Sequence, residues 1–462
     1  MNLGFCPRLL ALACPSTMNA FSSLLKSRFC WLAQTLAALG TAFLPLSAHA
    51  WGEPHLVITK AATEVLPDWQ KELLGPEMEK LASKYCLIPD EVYTDKENAK
   101  YAAMPETRPG EVYLLNLHLP DASQAVNLDT LRYFMGRAVA ALKAGQTTDA
   151  AKYLGTICHQ VEDYGSPSHT VPGDNMFTLL TQFLPPPDDM KGQPMHGPIE
   201  NGTLEVKIPG YKPQLLGLSV EEASWRLLHR MHEGILNARQ TTIPILQALY
   251  AKDPETVKTW QMKAAVVDAQ VTADALYTVL CLGQERGEPA ELTALRDVDI
   301  AGFFPIEAVN LYYPQSQFAG SPNWGCARSG FLMEKGTRPV PLTLKAPAAT
   351  GDAAATETRE LARGISVVMG KTLTFPLPKN VYGRFTVLAG LHPELGAKGR
   401  VEFTVLGDGK PLASVTVNGT DPAQLMTCDL AGVSSLQLLA KARGLDPKAN
   451  YAIWGEPRLS KR

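Results

Sequence analysis

An excess of charge of either sign is missing from this chain. Its 43 Lys and Arg nearly balance 46 Asp and Glu, for a formal net charge of -3. That balance gives no argument for bulk nucleic-acid binding, and no stable nucleic-acid complex is expected. Beyond residue 50, no apolar run approaches the roughly 20 residues needed to span a bilayer. Five cysteines lie in that part: Cys86, Cys158, Cys281, Cys326 and Cys428. An odd number at scattered positions is not a disulfide framework. Cys326 and Cys428 could pair, and buried free thiols are the other reading. No internal repeat is visible.

What is present begins with a leader. From Met18, which reads as the true start, Lys26 and Arg28 form a basic region. An apolar run follows from Phe29 to about Leu46 and ends in Ser47-Ala48-His49-Ala50. This is the three-part pattern of a secretory signal peptide, with cleavage expected after Ala50. A membrane anchor is the other reading, and the small residues at 48 and 50 argue against it. The mature protein is expected to be secreted or periplasmic and to begin at Trp51.

The 462 residues, 45% of them hydrophobic, are enough for two or three domains with sizeable cores. Residues 51–285 read as helical. Apolar residues recur at helical spacing over 129–142, and Gly145 marks that helix's end. Asp149 sits where an N-cap would sit, before a helix running to about Asp163. Helical patterns resume at 220–236, 243–251 and 254–282. Between them, a loop from about Phe183 to Gln214 is broken by Pro185-Pro186-Pro187, Gly192, Pro194, Gly197 and Pro198. Residues 286–299 read as a linker. Beyond it, 400–405 and 414–417 alternate polar and apolar residues around the turn signal Gly407-Asp408-Gly409, and 435–438 is another candidate strand. Residues 346–358 read as an Ala/Thr-rich loop. The predicted architecture is multidomain: an all-α domain over 51–285, then an all-β sandwich over 300–462.

Candidate metal ligands cluster in the helical part. His159 and Asp163 stand four apart on one helix face, one turn from each other. Ser166-Pro167-Ser168 bends the chain, and His169 follows. His196 and Glu200 repeat the four-residue spacing. His118 lies in Leu117-His118-Leu119-Pro120, and His55 is four residues beyond the expected new N-terminus. Imidazole and carboxylate are the groups zinc accepts. A single His-x3-Asp pair is most often a surface charge pair. Two pairs with three further histidines point to a metal centre. His229 and His232, beside Trp225 in one helix, read as structural or surface residues, and Cys158 as core.

The stretch His159-Gln160-Val161-Glu162-Asp163-Tyr164-Gly165-Ser166-Pro167-Ser168-His169, with Trp51-Gly52-x-x-His55, resembles the zinc-dependent phospholipases C and the related single-strand zinc nucleases. The resemblance covers 51–285. It implies three zinc ions. Trp51, through its own amino nitrogen and carbonyl oxygen, would hold one with His55 and Asp163. Asp90, His118, His159 and Asp163 would hold a second, with Asp95 competing for the place of Asp90. His169, His196 and Glu200 would hold the third. Asp90 and Glu200 are the catalytic candidates. On this reading, leader cleavage completes the site by freeing the Trp51 amine; a free α-amino group titrates at about 7.7–8.0 in model peptides, low enough to lose its proton to a metal at neutral pH. Three zinc ions outweigh the three carboxylates, so an anionic phosphoester is the expected substrate.

Glu200 as the last ligand resembles the phospholipase branch. The long His169-to-His196 interval and the short Trp51-to-His55 spacing also resemble the nuclease branch. Phe177-Thr178-Leu179-Leu180 and Phe183-Leu184 would contact a membrane surface transiently or pack on the core. From about residue 300, the segments 385–390, 401–412 and 450–454 resemble carbohydrate-binding modules of the NPCBM type, which implies a glycan ligand. Trp454 reads as a sugar-stacking or a core residue. A further alternative is a glycan-binding surface protein whose helical domain is metal-stabilised but inactive.

Overall fold

The structure, a computed structural model, describes residues 52–104, 115–120, 124–170, 184–303, 328–335, 338–347, 356–367, 370, 372–444 and 449–461. A helical part is followed by an all-β part, and residues 49–462 form one compact unit. The expected leader, Trp51, Cys326, 177–180 and Phe183 lie outside the described residues.

The helices are α1 (Gly52–Glu64), α2 (Asp68–Leu74), α3 (Glu77–Ser83), α4 (Gln124–Lys143), α5 (Thr147–Gly165), α6 (His196–Glu200), α7 (Val220–Tyr250), α8 (Pro254–Gln284) and α9 (Pro289–Ala294). Caps begin two of the long ones. Ser219 accepts from the Glu222 amide, and Asp253 accepts from the Thr256 amide with Pro254 at the first helical position. Asp149 is not a cap. The helix starts two residues earlier, at Thr147 after Gln146, and the Asp149 carboxylate accepts from the Tyr101 hydroxyl. The two helices expected over 220–251 are one, with Pro244 inside. Proline removes a helical hydrogen bond. Here Ile245, Leu246 and Ala248 continue the buried face against Met195 and Ile199, which outweighs that cost.

Helix α8, though interrupted by Asp268 and Asp274, is long and apolar enough by length and composition to cross a membrane. In this fold it is the central core helix. Its buried Asp274 accepts from the Tyr211 hydroxyl and the Gln214 amide and pairs with Arg230 at 3.2 Å, pinning the 201–217 segment. His229 stacks on Phe303 at 3.9 Å and meets Trp225 edge-on, so it is a packing residue. Burial pushes His232 down to about 3, which keeps it neutral in the core.

Residues 286–299 are more than a linker. They carry α9 and strand β1 (Asp297–Asp299), which pairs with the last strand. The all-β part then runs through β2 (Arg328–Ser329), the separate two-stranded sheets β3 (Phe331–Glu334) with β4 (Arg338–Pro341) and β5 (Thr343–Pro347) with β6 (Thr356–Glu360), then β7 (Gly364–Ser366) and β8 (Thr372–Pro376). It continues with β9 (Tyr382–Leu391), β10 (Arg400–Gly407), β11 (Lys410–Asn418), β12 (Gln424–Asp429), β13 (Ser435–Ala442) and β14 (Ala452–Lys461). One sheet has the order β12-β9-β14-β7-β2, with β1 also on β14, and a second has the order β11-β10-β13-β8. Asp408 and Gly409 both have positive φ, so the β10–β11 turn is the tight hairpin type that matches strand twist. Val401, Phe403 and Val405 alternate inward along β10, and Phe403 meets Trp454 edge-on at 4.9 Å. Trp454 is fully buried and belongs to the core.

Candidate metal centre

Helix α5 supplies the centre of the site. His159 and Asp163, one turn apart, are both fully buried. Helix α1 adds His55, the turn after α5 adds His169, and α6 adds His196 and Glu200. Asp90 comes from the turn after the short helical segment 85–87, and His118 from the turn after 115–117.

These residues form three groups, the first two sharing His159: His55, Asp90 and His159; His118, His159 and Asp163; and His169, His196 and Glu200. Within each, the potential ligand atoms lie within 4.8 Å of one another. Asp163 Oδ1 is 3.1 Å from His55 Nε2, while its Oδ2 is 3.0 Å from His118 Nδ1 and 3.2 Å from His159 Nε2. Asp90 Oδ1 is 3.7 Å from both His118 Nδ1 and His159 Nε2. His196 Nε2 is 3.0 Å from Glu200 Oε1 and 3.0 Å from His169 Nε2. Of the residues expected from sequence, eight are therefore brought together, from His55 to Glu200. Asp95 is elsewhere, bonded to Asn98 and 3.8 Å from Lys84.

The donor chemistry fits a divalent metal. His55 Nδ1 is 2.7 Å from a Glu162 oxygen, His159 Nδ1 is 2.8 Å from the Cys86 carbonyl, and His169 Nδ1 is 2.5 Å from the His118 carbonyl. Carbonyls and carboxylates accept, so each Nδ1 carries the proton and each Nε2 presents a lone pair. Those lone pairs face the Asp163 carboxylate or another imidazole nitrogen in a buried space. Lone pairs converging there are unfavourable without a cation between them. This outer-partner pattern is the one that fixes metal-binding histidines. Burial alone would raise the Asp163 carboxyl. Protonated imidazoles, standing in for the cation, outweigh it: the charge of His159 and hydrogen bonds from His118, His159 and His55 then hold Asp163 well below the usual carboxylate range.

One glycine makes this geometry accessible. A Cβ on Gly155 would lie 2.3 Å from the Tyr85 carbonyl oxygen. Gly155 sits one turn before His159, and its bare backbone lets segment 85–87 approach until the Cys86 carbonyl reaches His159 Nδ1. Gly155→Ala is expected to cost about 1–3 kcal/mol in chemical denaturation and to weaken metal retention in the same protein. Unchanged stability and metal content would refute the packing role.

Sequence reading missed the outer partners. Glu162 stands in the motif but received no role. The Ser166 hydroxyl donates to Glu200 at 3.1 Å, and Ser168 donates to the same carboxylate. The signal was there in the two serines flanking Pro167 and in a buried-helix Glu beside Asp163. The four described cysteines, Cys86, Cys158, Cys281 and Cys428, are buried free thiols.

Residues 332–460 match the NPCBM/NEW2 domain family. No curated protein matches the chain. Among solved structures, the chain is similar to the CBM51 of Clostridium perfringens GH95 in complex with methyl-galactose. That match is 17% identical, covers 36% of this chain and 99% of that one, and has a TM-score of 0.27. It is also similar to CBM51-2 with INT domains from Clostridium perfringens ZmpB in complex with GlcNAc, at 16% identity and a TM-score of 0.24. That match covers 29% of this chain and spans only 28% of the other. Clostridium perfringens alpha-toxin from avian strain SWCP is 13% identical over 90% of this chain and 99% of its own, with a TM-score of 0.32.

Proposed function

We propose that this protein is an exported, zinc-dependent phosphodiester hydrolase of the phospholipase C type, with a C-terminal module that binds glycans. The observation that carries this reading is the buried centre in which His55, His159 and His169 turn Nε2 inward around Asp163, Asp90 and Glu200. His55, Asp90, His118, His159 and Asp163 would hold two ions, with Trp51 completing one of them, and His169, His196 and Glu200 would hold the third. Bound zinc supplies a Lewis acid and water that ionises near neutral pH.

The chain's own groups do the rest. Asp90, the carboxylate farthest from the imidazoles, accepts a proton from the attacking water and orients it. Ser166 and Ser168 hold one Glu200 oxygen, which leaves the other beside His196. The outer carbonyl partners keep His159 and His169 in one tautomer. The leader pattern over residues 26–50 supports export. The match over 332–460 supports a glycan as the second ligand.

The test is hydrolysis by the mature protein of phosphatidylcholine vesicles and of single-stranded DNA, side by side, with and without a zinc chelator. Chelator-sensitive release of phosphocholine is the expected result. Release of nucleotides alone would move the protein to the nuclease branch. Glycan binding with no turnover of either substrate would favour the inactive-domain alternative.

A further inference from the structure

Glu162 is fully buried, and its two oxygens have different partners. Oε2 lies 2.7 Å from His55 Nδ1. Oε1 accepts from the Thr59 hydroxyl at 2.6 Å and the Thr272 hydroxyl at 3.5 Å. His55 is thus clasped by two consecutive carboxylates of α5, Glu162 through Nδ1 and Asp163 through Nε2. Its ring also stacks on His159, with centroids 4.2 Å apart. Thr59 stands one turn after His55, so α1 delivers both the imidazole and the hydroxyl that braces its carboxylate partner.

The other histidines with a fixed tautomer rely on neutral backbone carbonyls, Cys86 for His159 and His118 for His169. Those carbonyls are held by local backbone geometry. His55 comes from a different helix, and the group behind it is an anion aimed by threonines from α1 and α8. A charge-assisted hydrogen bond is roughly twice as strong as a neutral one and makes the imidazole a better donor at its other nitrogen.

We propose that Glu162 is a positioning residue that fixes the tautomer and orientation of His55 and so sets how tightly the His55 position holds its metal ion. This rests on the metal-centre reading above. Glu162 touches neither substrate nor metal, and it acts only through His55.

The test is zinc competition against a chromophoric chelator, with Co2+ absorption as a second readout, on protein purified from cells expressing the full chain. Glu162→Gln keeps the shape and an acceptor for His55 but removes the charge. Its weakest-held zinc is expected to bind about 10- to 100-fold less tightly, with a changed Co2+ spectrum. In a His55→Ala background the same substitution should change nothing further. Wild-type affinity in Glu162→Gln, or an equal loss with and without His55, would overturn the proposal. If Glu162→Gln does not fold, Thr59→Val reads the same link. A several-fold loss that depends on His55 supports it, and unchanged affinity overturns it. Wild-type protein that retains no zinc would bring down the metal-centre reading and this inference together, a result distinct from zinc-loaded protein indifferent to Glu162.

Discussion

On the function proposed above, Asp163→Asn is expected to lower phosphodiester hydrolysis by at least about a thousandfold while leaving the helical fold intact. Asp163 faces His55 through one oxygen and His118 and His159 through the other, at 3.0–3.2 Å. It therefore joins imidazoles from three separate segments, and no other carboxylate in the site does so at that distance. Asparagine has the same shape but no charge. Its amide nitrogen cannot bind a metal, and it would bring hydrogens toward ring nitrogens that need a cation. At least one zinc ion should be lost with the activity, measured by elemental mass spectrometry alongside turnover. Asp90→Asn should lower turnover with less effect on zinc content, because Asp90 stands at 3.7 Å from its two imidazoles. Asp95→Asn should stay within about twofold of wild type, since Asp95 caps a turn through Asn98 outside the site. Full activity and full zinc in Asp163→Asn would sink the metal assignment at its centre.

The legible parts of this protein are those with a short period. His159 with Asp163, and His196 with Glu200, could be read because four residues make one helical turn. The β10–β11 hairpin could be read because Asp408-Gly409 suits positive φ at both positions. What failed had no period to read. Asp90 and Asp95 are equally good carboxylates on a local view, and only the approach of segment 85–87 to Gly155 decides which one reaches the histidines. Glu162 follows Val161 on a helix whose residues 153–165 are all buried, so no amphipathic contrast marks it out. The patterns over 220–236 and 243–251 read as two helices because the strip of apolar contacts that carries α7 through Pro244 comes from α6, about fifty residues earlier in the chain. The short strand inside 286–299 was invisible for the same reason. Its partner is the last strand of the chain.

That long-range pairing bears on the largest expected stability effect, which lies where the helical part meets the sandwich. Glu222, near the start of α7, is fully buried. Its Oε1 accepts from Arg226 at 3.1 Å and from the Tyr382 hydroxyl of β9 at 3.1 Å. Its Oε2 accepts from Lys461 of β14 at 2.7 Å and from the Leu218 amide at 3.1 Å. One carboxylate therefore serves two cations and ties two adjacent interior strands of a sheet to helix α7. Trp225, Phe303 and Tyr382 pack beside it and keep water out. Glu222→Ala would leave Arg226 and Lys461 facing each other with no anion between them. Removing one partner of a buried ionic group costs about 3–5 kcal/mol, because the remaining charges stay desolvated. Glu222→Gln should cost less, since its amide oxygen still accepts one hydrogen bond. The Ala variant should also change the form of unfolding. Without this link the two parts should melt separately, so one calorimetric transition should become two, with new protease cleavage within 286–296. A single transition at the wild-type temperature would show that the apolar contacts and the β1–β14 pairing suffice, and that the buried charges add nothing to the union of the two parts.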